Sequence, residues 1–316
     1  MTRKGFLVLS VAVLGGLAQA GCPSTGGGNG PATTDLSGRV IKVAATIGMI
    51  GDTVKNIGGD RVEVTSLMGP GVDPHLYKAT AGDVGTLQQA DAIFYGGLEL
   101  EGRMTDLFVK MARDKLTVPV ASSIDESLLR EPKEFQGKYD PHIWFDVTLW
   151  KKATEVIRDE LAKLDPKSTD LYTKNAETYL AKLDELHQYT KTAIARIPAP
   201  QRVLITAHDA FGYFGKQYGM EVRGLQGTST ATEAGAGDVQ RLAAFIAERK
   251  IRAIFVESSV PKATIEAVQK AVRSRGFNVV IGGQLYSDAM GPDGTDEGTY
   301  LGMVRHNVDT IVKALS

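Results

Sequence analysis

The sequence predicts an α/β protein of two lobes, each a mainly parallel sheet flanked by helices, joined by one long rigid helix. Three observations carry this reading. Short β-branched runs alternate with amphipathic stretches over residues 40–121, and the same grammar returns over residues 203–282. Alternation of this kind implies parallel sheets covered on both faces. Between the two blocks, apolar residues recur every three or four positions through a long uninterrupted stretch, which is the helical period. The composition, 43% hydrophobic and 23% charged over 316 residues, is that of an ordinary globular chain with room for about two domains.

Residues 1–21 read as a secretory signal. Arg3 and Lys4 make a basic start, Phe6 to Leu17 is apolar, and small residues follow; the apolar stretch is too short to span a bilayer well. Two cleavage points fit. Ala18-Gln19-Ala20 suits an ordinary signal peptidase. Ala20-Gly21-Cys22 resembles the end of a bacterial lipobox, with Gln19 standing where an aliphatic residue is usual. Cys22 is the only cysteine, so it has no internal disulfide partner, and lipidation at Cys22 is the preferred expectation. Residues 22–38, rich in glycine and small polar residues, read as a flexible tether. Either cleavage puts the protein outside the cytoplasm. The net charge of −1 gives no reason to expect nucleic acid or an anionic membrane surface as a partner.

The first lobe is expected over 39–165. Its strands are Val40 to Thr46, Arg61 to Leu67, Ala92 to Tyr95 and Thr117 to Ala121, and its helices include Asp83 to Ala90 and Gly102 to Arg113. A helix from Leu149 closes at Asp165-Pro166, because proline disfavours helical backbone in the residue before it. The linking helix is expected over 166–198, capped by Ser168 or Thr169 and stopped by Pro198 and Pro200. Nearly thirty helical residues span roughly 40 Å, so the link should act as a strut and permit little hinge motion. The second lobe is expected over 199–316. Its strands are Val203 to Thr206, Glu221 to Gly224, Ala253 to Glu257 and Asn278 to Gly282, and its helices Asp238 to Arg249 and Lys262 to Arg275.

Five histidines are present, and three stand where regular structure starts or stops. His75 lies in the Gly/Pro-shaped loop Gly69-Pro-Gly-Val-Asp-Pro-His-Leu-Tyr77, which can aim a side chain without regular structure. His142 lies in Asp140-Pro-His-Ile-Trp-Phe-Asp146, whose aromatic residues would form a dry wall. His208 follows the strand ending at Thr206, the place where α/β sheets present ligand-binding side chains. Asp288 follows the strand ending near Gly282, and Glu257 ends its own strand. Neutral imidazole and carboxylate suit divalent transition metals. Taken singly, each residue has a plainer reading: a solvated loop histidine, a histidine in an aromatic cluster, a helix-start histidine, a turn aspartate, a helix-start acid. His187 and His306 carry no loop or strand-end signal and read as structural. There is no HExxH, CxxC, Walker A loop, GxSxG or dinucleotide fingerprint.

In combination these segments are more specific. Asp73-Pro-His75, Asp140-Pro-His-Ile-Trp-Phe-Asp146, Thr206-Ala-His-Asp-Ala-Phe-Gly-Tyr-Phe214 with Leu225-Gln-Gly227, Phe255-Val-Glu-Ser-Ser259 and Gly282-Gly-Gln-Leu-Tyr-Ser-Asp-Ala-Met-Gly291 occur in this order. From about residue 40 to its end the chain resembles the metal-binding solute-binding lipoproteins of bacterial zinc/manganese ABC transporters, the periplasmic solute-binding family 9. The resemblance implies two α/β lobes joined by one rigid helix, with the metal in the cleft between them. It places the family's ligands on His75, His142, His208 and Asp288; Glu257, by its strand-end position, could be a further ligand or an acceptor for an imidazole N–H.

The resemblance further implies capture of Mn2+ or Zn2+ as cargo, delivery to a membrane permease, and energy from a separate ATPase subunit. The chain is expected to be a monomer held at the membrane by its lipid anchor. Three imidazoles and a carboxylate suit zinc by ligand type. The stretch from Ile124 to Asp140 lacks the histidine-rich loop of many zinc importers, and the run Gly282 to Met290 looks like the manganese-type members. Manganese is therefore the expected cargo, with zinc binding in vitro. A secreted metalloenzyme and a metal-rigidified adhesin are the alternatives. Four protein ligands would close the site that a catalytic zinc leaves open.

Overall fold

A computed structural model describes residue 36, residues 38–135 and residues 137–316. The signal segment, most of the tether, and Cys22 lie outside the described residues. The first block opens with β1 (Ile41–Ile47), α1 (Gly48–Gly58), β2 (Val62–Met68), α2 (Ala81–Gln89), β3 (Ala92–Tyr95), α3 (Thr105–Met111) and β4 (Leu116–Pro119). Its four strands form one parallel sheet in the order β2-β1-β3-β4. Six of the seven residues of β1 are buried, as a central strand covered on both faces requires. The sequence reading gave no element to α1. Nothing punctuates the chain between Ile47 and Gly48, so strand runs straight into helix. α1 packs closely on β2, and a Cβ at Gly51 would collide with the Ser66 hydroxyl. α2 begins on a capping box between Thr80 and Asp83.

Next come α4 (Val147–Leu164) and α5 (Thr169–Ala195). The Asp146 carboxylate accepts the Thr148 N–H at 2.8 Å and starts α4. Asp165-Pro166 stops it, as the sequence predicts. Ser168 occupies the N-cap position of α5 but makes no capping hydrogen bond. Asp165 instead organises this corner: its carboxylate takes Arg61 Nε at 2.6 Å and the Tyr172 hydroxyl at 3.0 Å. The 27 residues of α5 pack against α4 and α1. The helix is thus supported along its length.

The second block contains β5 (Val203–His208), α6 (Gly212–Tyr218), β6 (Glu221–Gln226), α7 (Ala236–Arg249), β7 (Ala253–Glu257), α8 (Ala263–Arg273), β8 (Val280–Leu285) and α9 (Tyr300–Leu315). β5 pairs with β6, and β7 with β8, all parallel. β5 and β7 are neighbours, but no ladder joins them, so this half holds two two-stranded sheets among the described residues. The observed β8 starts two residues later than the Asn278 start and ends beyond Gly282, carrying a register shift opposite Ile254/Phe255. Gly283 takes φ +153° there; two adjacent glycines, Gly282 and Gly283, blur that strand in the sequence.

Among the described residues two apolar clusters hold the fold. The larger joins β1 and β3 with α1, α4, α5, α6 and α9; the smaller lies among β5, β7, α7 and α8. The last helix returns to the first block: Tyr300 stacks on Trp150 at 5.2 Å, and Trp150 Nε1 donates to the Thr53 hydroxyl at 3.2 Å. Trp150 is 1% exposed and ties its own helix α4 to both α1 and α9. Trp150→Ala should therefore destabilise the protein by about 3–5 kcal/mol, read as a lowered midpoint in thermal or urea unfolding. A loss below about 1 kcal/mol would show that α1, α4 and α9 do not depend on this side chain.

Candidate metal centre

The local sequence explains how each candidate side chain is aimed. Asp73-Pro-His75 and Asp140-Pro-His142 fold alike: the aspartate Oδ1 accepts the backbone N–H of the histidine two residues on, at 2.9 Å in both. The proline stiffens the tripeptide, and the Asx-type bond fixes the histidine backbone. His75 sits on the loop that follows β2, and His142 just before the helical turn Ile143–Phe145 that leads into α4. His208 is the last residue of β5 rather than two residues past its end. Asp288 lies on the loop after β8. A Cβ on Gly224 of β6 would stand 2.5–2.6 Å from Asp209 N, Gln226 O and His208 C, so only glycine lets β6 lie this close to the end of β5.

These four residues converge. One ligating atom from each of His75, His142, His208 and Asp288 lies within 4.8 Å of all the others. His75 Nε2 and His142 Nε2 are 3.2 Å apart. Asp288 Oδ1 stands 3.3 Å from His142 Nε2, and Oδ2 stands 3.2 Å from His208 Nε2 and 3.9 Å from His75 Nε2. A tetrahedron with metal–ligand bonds of roughly 2.0–2.1 Å has edges of about 3.4 Å, so most of these separations suit four groups around one small ion. Exposure is 5% at His75, 0% at His142 and His208, and 1% at Asp288. Among the described residues His208 Nε2 and Asp288 Oδ1 find no hydrogen-bond partner, and buried polar atoms seldom go without one.

The far sides of two imidazoles are held by carboxylates. His142 Nδ1 is 2.7 Å from Asp140 Oδ1. His208 Nδ1 is 2.6 Å from Glu257 Oε2, out of line for a good hydrogen bond, while Glu257 Oε1 accepts the His208 N–H at 2.9 Å. Such carboxylate–histidine pairs orient an imidazole and raise its basicity toward a metal. Trp144 edges His142 at 5.1 Å and supplies the apolar wall. Glu257 was legible as a strand-end acid. Asp140 and Asp73 were not singled out, although their signal was present: the repeated Asp-Pro-His is itself the motif. His187 and His306 lie elsewhere, against the Tyr218 hydroxyl at 3.2 Å and the Gln284 carbonyl at 3.1 Å.

Proton affinities diverge within the cluster. Burial pushes His75 down to about 3, despite the opposing charge of Asp288. Burial also works against the charged form of His142, but the hydrogen bond and charge of Asp140, with Asp288 behind them, raise it to about 9. His208 is buried too, yet the charges of Asp288 and Glu257 lift it well above the usual histidine range. Burial alone would raise Asp288; the facing imidazoles, His208 foremost, hold it well below the usual carboxylate range. Without a metal the cluster therefore stores protons on His142 and His208 at neutral pH, while His75 is already neutral. A metal requires neutral imidazole. Binding would have to expel those protons, and affinity should climb with pH across neutrality, through about pH 9 where His142 loses its proton unaided, until His208 has lost its own. Calorimetry of Zn2+ binding at pH 7 in buffers of different ionisation enthalpy should show about two protons released per ion; zero released would contradict this charge distribution.

A family model described as ZnuA, zinc-uptake complex component A periplasmic, matches residues 43–314. The chain is 53% identical over 274 residues to the zinc-binding protein TroA of Treponema pallidum, covering 87% of this chain and 88% of that one. It is 49% identical over 287 residues to the manganese-binding lipoprotein MntA of Bacillus subtilis, covering 89% and 93%. Among solved structures, the periplasmic zinc binding protein TroA from Treponema pallidum matches with a TM-score of 0.86 at 52% identity, over 88% of this chain and 100% of that one.

Proposed function

The chain belongs to the zinc-uptake complex component A family of metal-binding periplasmic proteins, and from that premise we propose that His75, His142, His208 and Asp288 hold the ion it carries. It is a metal-binding receptor of an ABC importer, taking zinc or manganese as cargo. One observation supports the site above the rest: three buried Nε2 atoms and one buried carboxylate, drawn from four distant segments, meet within 4.8 Å. His75 and His142 belong to the lobe proposed at 39–165, and His208 and Asp288 to the lobe proposed at 199–316, with 166–198 as the link. A bound ion would tie one lobe to the other.

A permease and an ATPase subunit are the partners expected of such a receptor. No helix among the described residues is long and apolar enough to cross a membrane. We assign membrane attachment to a lipid on Cys22, supported by the single cysteine standing before a glycine-rich tether and by lipoprotein relatives. We propose that the protein acts as a monomer.

A metalloenzyme is the less favoured reading. A catalytic zinc keeps a position open and has a free base nearby. Here four protein groups surround the point where an ion would sit, and Glu257, the base candidate, accepts the His208 backbone N–H and lies against its ring.

For the carried ion the reading is manganese, with zinc bound more tightly in vitro. Zinc outranks manganese on any such donor set, so cargo choice rests on supply and geometry. Protein isolated from its native envelope without chelators should contain one equivalent of manganese, displaced by excess zinc. Zinc alone, with no manganese binding by the apo protein, would reverse the cargo assignment. His208→Ala should weaken metal binding by at least about a hundredfold with unfolding otherwise near wild type. Unchanged affinity would remove His208 from the site.

A further inference from the structure

The loop that carries His75 is gripped from the opposite lobe by one hydroxyl. Thr230 lies on the irregular segment between β6 and α7, in the second half of the chain. Its Oγ1 donates to Asp73 Oδ2 at 2.6 Å, across 157 positions of sequence. The other oxygen of the same carboxylate, Oδ1, accepts the backbone N–H of His75 at 2.9 Å. Asp73 thus has one oxygen on the residue that bears a ligating imidazole and the other on the facing lobe. Thr230 is 6% exposed. The segment holding it is itself braced: the Ala231 N–H donates to the Ser229 hydroxyl at 3.2 Å, and Gln226 Nε2 donates to the Thr232 carbonyl at 3.3 Å. On the first-lobe side the same loop abuts the second lobe again at Gly71, where a Cβ would stand 3.5 Å from Ser258 O.

We infer that Thr230 is a positioning residue that latches the His75 loop to the second lobe and slows release of the bound ion. The inference rests on the metal site proposed above. Thr230 is not among the four ligating residues, and its partner Asp73 acts on His75 only through the backbone. What the hydroxyl does is link two events. Withdrawing the His75 loop from the second lobe requires breaking the Thr230–Asp73 bond, and Asp73 then loses half of what holds it beside His75. An ion entering an open cleft meets no such bond, because the latch forms only when the two segments meet. The latch therefore acts on the dissociation rate and leaves the association rate alone. A hydrogen bond to a charged group is among the stronger kinds, and its loss should speed release about tenfold or more.

The test is stopped-flow release of Zn2+ from the full chain into excess chromophoric chelator, with association followed separately. It compares wild type, Thr230→Val, which keeps the shape and removes the hydroxyl, and Thr230→Ser, which keeps the hydroxyl. The expected result is release about tenfold faster in Thr230→Val, association within about twofold of wild type, and wild-type release in Thr230→Ser. Unchanged release in Thr230→Val overturns the latch. Equal acceleration in both variants overturns it as well, because keeping the hydroxyl in Thr230→Ser would then have made no difference. Slowed association with unaltered release would assign Thr230 to a general structural role and likewise overturn it. Failure of the wild type to bind Zn2+ at all would sink the metal site itself, and is distinguishable from each of these.

Discussion

Everything around the cleft depends on one electrostatic constraint: buried carboxylates cannot stand without cations. Asp288 and Glu257 are 1–2% exposed, Asp140 is 0% exposed, and all three touch the same group of imidazoles. An uncompensated buried charge is costly. Arg130, which pairs with Asp140 and reaches Asp209 at 3.4 Å, offsets part of the excess at its edge. At the centre only two kinds of positive charge are available, protons on imidazoles or a divalent ion. The raised affinities of His142 and His208 are the protonic solution, and a metal is the other. The proposed site would exchange one for the other, which is the chemistry a reversible carrier needs.

The fold serves this constraint by delivering rigid chain ends to one point. His208 ends β5, Glu257 ends β7, and Asp288 follows β8, so three of these groups are placed by carboxyl ends of parallel strands. The other two histidines come from loops and borrow their rigidity from Asp-Pro-His turns. Cross-cleft bonds complete the frame. Trp144 Nε1 donates to Ser287 O at 3.0 Å, the Tyr300 hydroxyl donates to Trp144 O at 2.7 Å, and the Tyr213 hydroxyl donates to Asp140 O at 2.9 Å. Each of these bonds lies within two residues of a proposed ligand or of its supporting carboxylate.

Much of this was legible in the sequence, for physical reasons that differ from element to element. Ala92–Tyr95 and Ala253–Glu257 stand out as strands because they are short, apolar and β-branched or aromatic, and both were bounded correctly. The α4–α5 corner was marked by Asp165-Pro166. The helix α1 was invisible because no turn residue separates it from β1, and β8 was displaced because glycines at 282 and 283 weaken its strand signal. The gathering of the four proposed ligands depended on tertiary structure; from spacing alone each histidine kept a plain alternative reading. Asp140 and Asp73 were in view as parts of a repeated tripeptide, but their bonds to the histidine backbone and across the cleft exist only in three dimensions.

The measurement that bears most directly on this account is the anomalous diffraction signal of crystals of the zinc-loaded protein, collected on either side of the metal absorption edge. A single strong peak is expected, surrounded by Nε2 of His75, His142 and His208 and the carboxylate of Asp288, at roughly 2.0–2.2 Å from each. A peak bound by other residues, or a fully loaded protein with no ordered metal between these four side chains, would contradict it.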